Sequence, residues 1–145
     1  MSDLLIWVQL TATLYLTGLI WVIQVVHYPL MNRVPAEAFV EFHDQHSRRI
    51  SSIVVAPMVI ELATVIGLLI LRPASVPHKL LALSAILVAL LWLSTFALQV
   101  PLHRKLATGF DPSVHRALVR GNWIRTVAWT LRAPVALVMA ISATG

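Results

Sequence analysis

At 145 residues the chain has room for one domain, and a composition that is 59% hydrophobic and only 12% charged excludes a soluble globule. The absence of cysteine removes disulfides, thiolate metal sites, iron–sulfur clusters and cysteine nucleophiles together. The net charge of +5 does not point to nucleic acid, because the basic residues flank apolar runs, where they meet lipid headgroups instead of forming a hydrated basic face.

A bilayer core of ~30 Å takes about 20 apolar helical residues, and four stretches meet that length. The fold class expected is therefore all-α, an integral membrane four-helix bundle filling the whole chain as a single transmembrane domain. The first span runs from about Leu4 to Val26. It follows an acidic Met1-Ser2-Asp3 and has no small-residue cleavage site, so it reads as a retained helix and not as a signal peptide. Pro29 marks its exit, and Pro35-Ala36-Glu37 then opens a short interfacial helix to about Arg48 that brings Phe39 and Phe42 to the membrane surface or continues into the next span. The second span covers about Ile50 to Leu71. A short turn from Arg72 to Lys79 joins it to the third, about Leu80 to Val100, which Pro101 closes. The fourth runs from about Leu118 to Ile141.

Two long connections, about 27–49 and 101–117, fall on one side of the bilayer. They and their flanks hold Arg33, Arg48, Arg49, Arg104, Lys105, Arg116 and Arg120, against Arg72 and Lys79 opposite. The positive-inside rule places these connections in the cytoplasm and both termini outside.

Each span carries a polar seam at helical spacing. Span one has Gln9, Thr13, Thr17, Gln24 and then His27 or Tyr28; span two has Ser47, Ser51, Glu61 and Thr64. Span three has Trp92, Thr95, Gln99 and His103; span four has Asn122, Arg125, Trp129 and Arg132. Gln9, Thr13, Thr17 and Thr95 read as interhelical hydrogen-bonding groups. Glu61 and Arg132 lie near mid-bilayer, where an unpaired charge costs at least ~2.5–3.5 kcal/mol, so Glu61 is expected to meet Arg132 or Arg125.

Four of the six histidines, His27, His43, His46 and His103, sit near helix ends on the cytoplasmic side. His115 falls in a polar loop segment of that side and His78 lies opposite. His43 and His46, three residues apart, can turn both rings toward one target. Neutral imidazole is the commonest ligand for Zn, Cu and Fe, so these four histidines with Glu61 form the expected metal set. Haem b is the alternative cofactor, with His27 and His103 as axial ligands and Arg48, Arg49 or Arg125 on the propionates.

The runs Val25-Val26-His27-Tyr28-Pro29-Leu30 and Phe42-His43-Asp44-Gln45-His46-Ser47-Arg48-Arg49 with Pro57 and Glu61 form one signature. Gln99-Val100-Pro101-Leu102-His103 with Asn122-Trp123-Ile124-Arg125-Thr126 and Trp129 to Arg132 form another. Together they resemble a family of small, mostly uncharacterised bacterial four-helix membrane proteins over nearly the whole chain. The second is also distantly similar to the anthrone-oxygenase-like family, with His103 standing where that family is expected to carry Asn. The resemblance implies a bacterial inner membrane and redox or oxygen chemistry on apolar substrates.

The expectation is a membrane oxidoreductase acting on a lipid-soluble or amphiphilic small molecule. Glu61, Arg125 and Arg132 are its candidate catalytic groups. Gln24, Tyr28, Gln99, Asn122, Trp123 and Trp129 are its candidate pocket. A proton-coupled transporter or a non-catalytic accessory subunit is the competing class, and homo-oligomerisation is left open.

Overall fold

The computed structural model describes residues 1–144 and contains four long helices, each long and apolar enough to cross a membrane: α1 (Ser2–Met31), α2 (Ala36–Leu71), α3 (His78–Leu106) and α4 (Pro112–Thr144). The all-α four-helix bundle is the fold, and the chain is a multi-pass membrane protein by length and apolarity of its helices. Bulky apolar side chains such as Ile53, Ile70, Ile86, Leu93, Phe96, Leu131 and Ile141 point outward, a belt that suits acyl chains and not water.

The connections are far shorter than the sequence suggests. Only residues 32–35, 72–77 and 107–111 lie outside the helices. The segment expected as a short interfacial helix is helical, but it runs unbroken into span two, so Ala36–Leu71 is one helix of 36 residues. At 1.5 Å per residue it is about 54 Å long, well beyond a hydrocarbon core of ~30 Å, and its N-terminal third projects on the histidine side.

Pro29 and Pro101 do not end their helices either. Each follows a single π-helical stretch, Ile23–His27 in α1 and Thr95–Gln99 in α3, after which α-helix resumes. Proline has no N–H to donate and its ring crowds the carbonyl four residues back; a widened turn just before it relieves that crowding while the chain stays helical.

The interior is layered along the bundle axis. One apolar cluster, built on Ile6, Leu10, Leu68, Leu81, Ala136 and Met139, fills the end near the termini. A second, built on Leu16, Ile20, Met31, Phe39, Met58, Leu91, Leu106 and Leu118, fills the histidine end. Between them Gln9, Thr13, Glu61, Ser84 and Arg132 form a buried polar layer. α1 packs extensively against α2 and α4, and α3 against α4, whereas of these neighbouring pairs α2 and α3 touch least. The gap between α2 and α3 is a cleft of about 840 Å³, within the range of small-molecule pockets.

Candidate functional site

The polar layer settles where Glu61 goes. Arg132 Nε donates to Glu61 Oε1 at 2.6 Å, Thr13 Oγ1 donates to the same oxygen at 2.7 Å, and Trp129 Nε1 donates to Oε2 at 3.3 Å. Arg132 Nη1 bonds the Ser84 carbonyl and hydroxyl, both at 2.8 Å, and Ser84 also accepts from Gln9 Nε2. Both carboxylate oxygens are thus occupied, and the ion pair is sealed, its two side chains 0% and 2% exposed. Glu61 meets Arg132, not Arg125. It does not join the histidines, which corrects the expected ligand set: fifteen residues of helix separate it from His46, about 22 Å along α2.

The four expected histidines do gather. Three helices contribute them: His27 from the π turn of α1, His43 and His46 from one face of α2, and His103 from α3 just beyond its own π turn. His27 stacks on His46 with ring centroids 4.2 Å apart. His46 lies 6.0 Å from His103, and His43 lies 5.3 Å from it. His43 Nε2 and His103 Nδ1 share a hydrogen bond of 3.1 Å, and His103 Nε2 is 3.2 Å from the Tyr28 hydroxyl. Phe39 and Phe42, from the same face of α2, pack against His43 and His27. Among the described residues, no three His, Asp or Glu side chains already surround one point as a metal cage. His27 Nε2 and His46 Nε2 are nonetheless buried with no hydrogen-bond partner among the described residues.

His115 is corrected in a different sense. It is not in a loop but buried on α4, where Nε2–H donates to the Tyr28 carbonyl at 2.8 Å. A carbonyl only accepts, so this ring carries its proton on Nε2. The bond pins the end of α1 to the start of α4, behind the histidine cluster.

His43, His46, His103 and Tyr28 form the polar end of the cleft, together with Gln99 and Arg125. Its walls are Ile50, Val54, Val55 and Met58 on α2 and Trp92 and Phe96 on α3. Val55 and Phe96 remain exposed on the lipid-facing surface, so the cleft opens sideways toward the acyl chains. Arg125 is 8% exposed, donates from Nη1 to Asn122 Oδ1 at 3.2 Å, and sits 5.2 Å above the Trp129 ring. Asn122 is held in turn by Gln24, with Nδ2 donating to Gln24 Oε1 at 2.8 Å.

Gln24, Asn122 and Trp129 therefore stand behind the cleft and orient Arg125 instead of lining it. Trp123 belongs to neither group. It is 44% exposed and packs edge-on against Trp21, 5.7 Å away, on the outer surface. It neighbours Asn122 in the chain but lies about 100° around α4 from the seam of Asn122, Arg125, Trp129 and Arg132, and that seam is the face that turns inward. Trp92 is the reverse case: it lies in the polar seam of span three, but its indole N–H facing an interior cleft was not foreseen. The π turns were missed too, although a proline two residues after His27 and again two residues after Gln99, inside otherwise continuous helical runs, is the available signal.

At the opposite edge of this end, Asp111 caps α4. Its Oδ1 accepts from the Ser113 hydroxyl at 2.6 Å, the Ser113 amide at 2.7 Å and the Val114 amide at 3.2 Å. These bonds, the Ser113 hydroxyl foremost, hold its carboxyl below the usual carboxylate range.

No protein-family model, curated protein or solved structure matches this chain.

Proposed function

We propose that the protein is a bacterial inner-membrane oxidoreductase that receives a lipid-soluble or amphiphilic small molecule in the α2–α3 cleft and acts on it with a transition metal held by His27, His43, His46 and His103. The observation that carries this reading is the pairing of an apolar cleft open to lipid with a polar end made of three imidazoles, a tyrosine hydroxyl and a buried guanidinium. The donor set suits the metal. His27 Nε2 and His46 Nε2 are buried nitrogens with no partner among the described residues, and an all-imidazole set favours Fe, Cu or Zn, of which Fe and Cu supply redox chemistry.

The chain's own groups have separable tasks. The walls from Ile50 to Met58 and Phe96 exclude water, and Tyr28 holds the His103 ring at Nε2, so that metal binding would replace the hydrogen bond between His43 Nε2 and His103 Nδ1. Glu61 and Arg132 are not part of the site; they hold the bundle together beneath it. Haem fits less well, because His27, one of its two expected axial ligands, lies stacked on His46. The chain His43–His103–Tyr28, hydrogen-bonded end to end, favours one second reading, a proton-relay or transport role.

Charge supports an orientation for this reading: Arg33, Arg104, Lys105, Arg116 and Arg120 lie toward the histidine end, which favours a cytoplasmic face there and both termini outside. Elemental analysis of detergent-purified protein is the direct test. Stoichiometric Fe or Cu that vanishes in a His43→Ala/His46→Ala variant supports the proposal. A Soret band moves it to haem, and metal-free protein of unchanged stability leaves the proton-relay reading.

A further inference from the structure

Arg125 is a buried guanidinium with no carboxylate partner. Among the described residues the ion pairs are Arg132–Glu61 in the polar layer and Arg48–Asp44 on the surface. Its contacts are a neutral amide oxygen of Asn122 and the face of Trp129, and its Nε is buried without an acceptor. A cation at such a place in a membrane protein is costly unless something neutralises it.

Two further donors share its predicament. Trp92 Nε1 and both amide atoms of Gln99 are buried with no hydrogen-bond partner among the described residues, and both side chains line the same cleft as Arg125. Gly121 leaves room for the Gln99 amide, since a Cβ there would stand 3.3 Å from Gln99 Nε2. Three unsatisfied N–H donors and one uncompensated positive charge thus meet at the polar end of an apolar slot. Buried donors are normally paired; in these three side chains the donors outnumber the one unpaired acceptor, Gln99 Oε1, and accompany an uncompensated cation, so the missing partner they describe is an acceptor-rich group carrying one negative charge.

We propose that the cleft holds a single-chain carboxylate amphiphile, a fatty-acid-type anion. Its head lies on Arg125, Gln99 and Trp92, and its chain lies between α2 and α3 along Val54, Val55, Met58 and Phe96. A carboxylate matches the single guanidinium in charge and its planar N–H edge in shape, whereas a phosphate monoester brings a second charge that nothing here neutralises. The assignment rests on reading the cleft as the site for an amphiphile, and it deepens that reading by naming the head group.

Native mass spectrometry of the full chain released from detergent, titrated with stearate, stearyl alcohol and stearyl phosphate, tests it. Stearate is expected to bind one per chain and about tenfold or more tighter than the alcohol, the effect of a charge-assisted hydrogen bond. Arg125→Gln should bring stearate down to the level of the alcohol without changing alcohol binding. Trp92→Phe, which keeps the ring and removes the donor, should weaken stearate alone and guards against a folding defect in the first variant. Equal binding of acid and alcohol, both abolished by Val55→Trp, overturns the head-group assignment while leaving the cleft as an amphiphile site. Stearyl phosphate binding as tightly as stearate also overturns the carboxylate. Binding of none of the three overturns the cleft reading itself.

Discussion

Arg132 and Glu61 show how much a single residue can govern in this fold. Each neutralises the other in a space closed to solvent, and Thr13, Ser84 and Trp129 add hydrogen bonds around the pair, which leaves Arg132 Nη2 without a partner among the described residues. Removing one partner of such a buried pair strands the other charge, so Arg132→Leu is expected to cost about 3–5 kcal/mol. The double variant Glu61→Leu/Arg132→Leu should recover much of that loss, measured by unfolding in mixed micelles. Asp111 offers a contrast at the solvent-exposed edge. Its carboxyl titrates below the ordinary value in the folded protein, so the stability it adds is present above the unfolded pKa and is lost as pH falls through the folded one. Asp111→Asn keeps the cap and removes the titration, so melting curves between neutral and strongly acidic pH should flatten in that variant. At Gly121, an added methyl would press on the Gln99 amide; Gly121→Ala is expected to weaken ligand binding in the cleft more than it lowers melting temperature.

The helices themselves carry the site through a shift of phase. A π turn holds one residue more than an α turn, about 100° of rotation, so the residues beyond Ile23–His27 and Thr95–Gln99 face where an uninterrupted α-helix would not put them. Deleting Val26, which is half-exposed, should convert the π turn of α1 to α-helix while keeping Tyr28 and Met31 in register, so the chain should still fold but melt lower, because the crowding ahead of Pro29 returns. Deleting Leu14, also exposed, rotates Leu16 and Ile20 out of the core and should abolish folding. The spans were legible in the sequence because twenty-residue apolar runs have few alternatives, and the Glu61–Arg132 pair was legible because buried charges need partners. The polar seams also pointed to the right helices. What the sequence could not convey was how the site is assembled: the nearness of Trp123 to Asn122 in the chain suggests an inward side chain, and a break between the loop helix and span two allows Glu61 to join the histidines. Tertiary packing, the proline-linked π turns and the length of α2 decide otherwise.

For the whole molecule, the least-packed of the neighbouring helix pairs is the one that carries the proposed site. The bundle is fastened by α1 and α4, and the α2–α3 seam is left open to lipid at the end where the imidazoles meet. The orientation proposed for it is readily tested because the chain has no cysteine. A cysteine placed at Ser75, in the turn between α2 and α3, should react with a membrane-impermeant maleimide on intact spheroplasts. One placed at Thr108, between α3 and α4, should react only after lysis. The reverse pattern would put the histidine end outside and refute the charge argument.

The layering of the core also bears on how the chain is made. Spans enter the membrane from the N-terminus onward, and Glu61 arrives on the second of them, while its cationic partner lies seventy-one positions later on the last. Until α4 is inserted, the carboxyl has only the Thr13 hydroxyl to meet it, and the α2–α3 hairpin holds an unneutralised acid in lipid. The last helix therefore completes the charge balance of the core: a chain that stops before Pro112 keeps Glu61 without its cation.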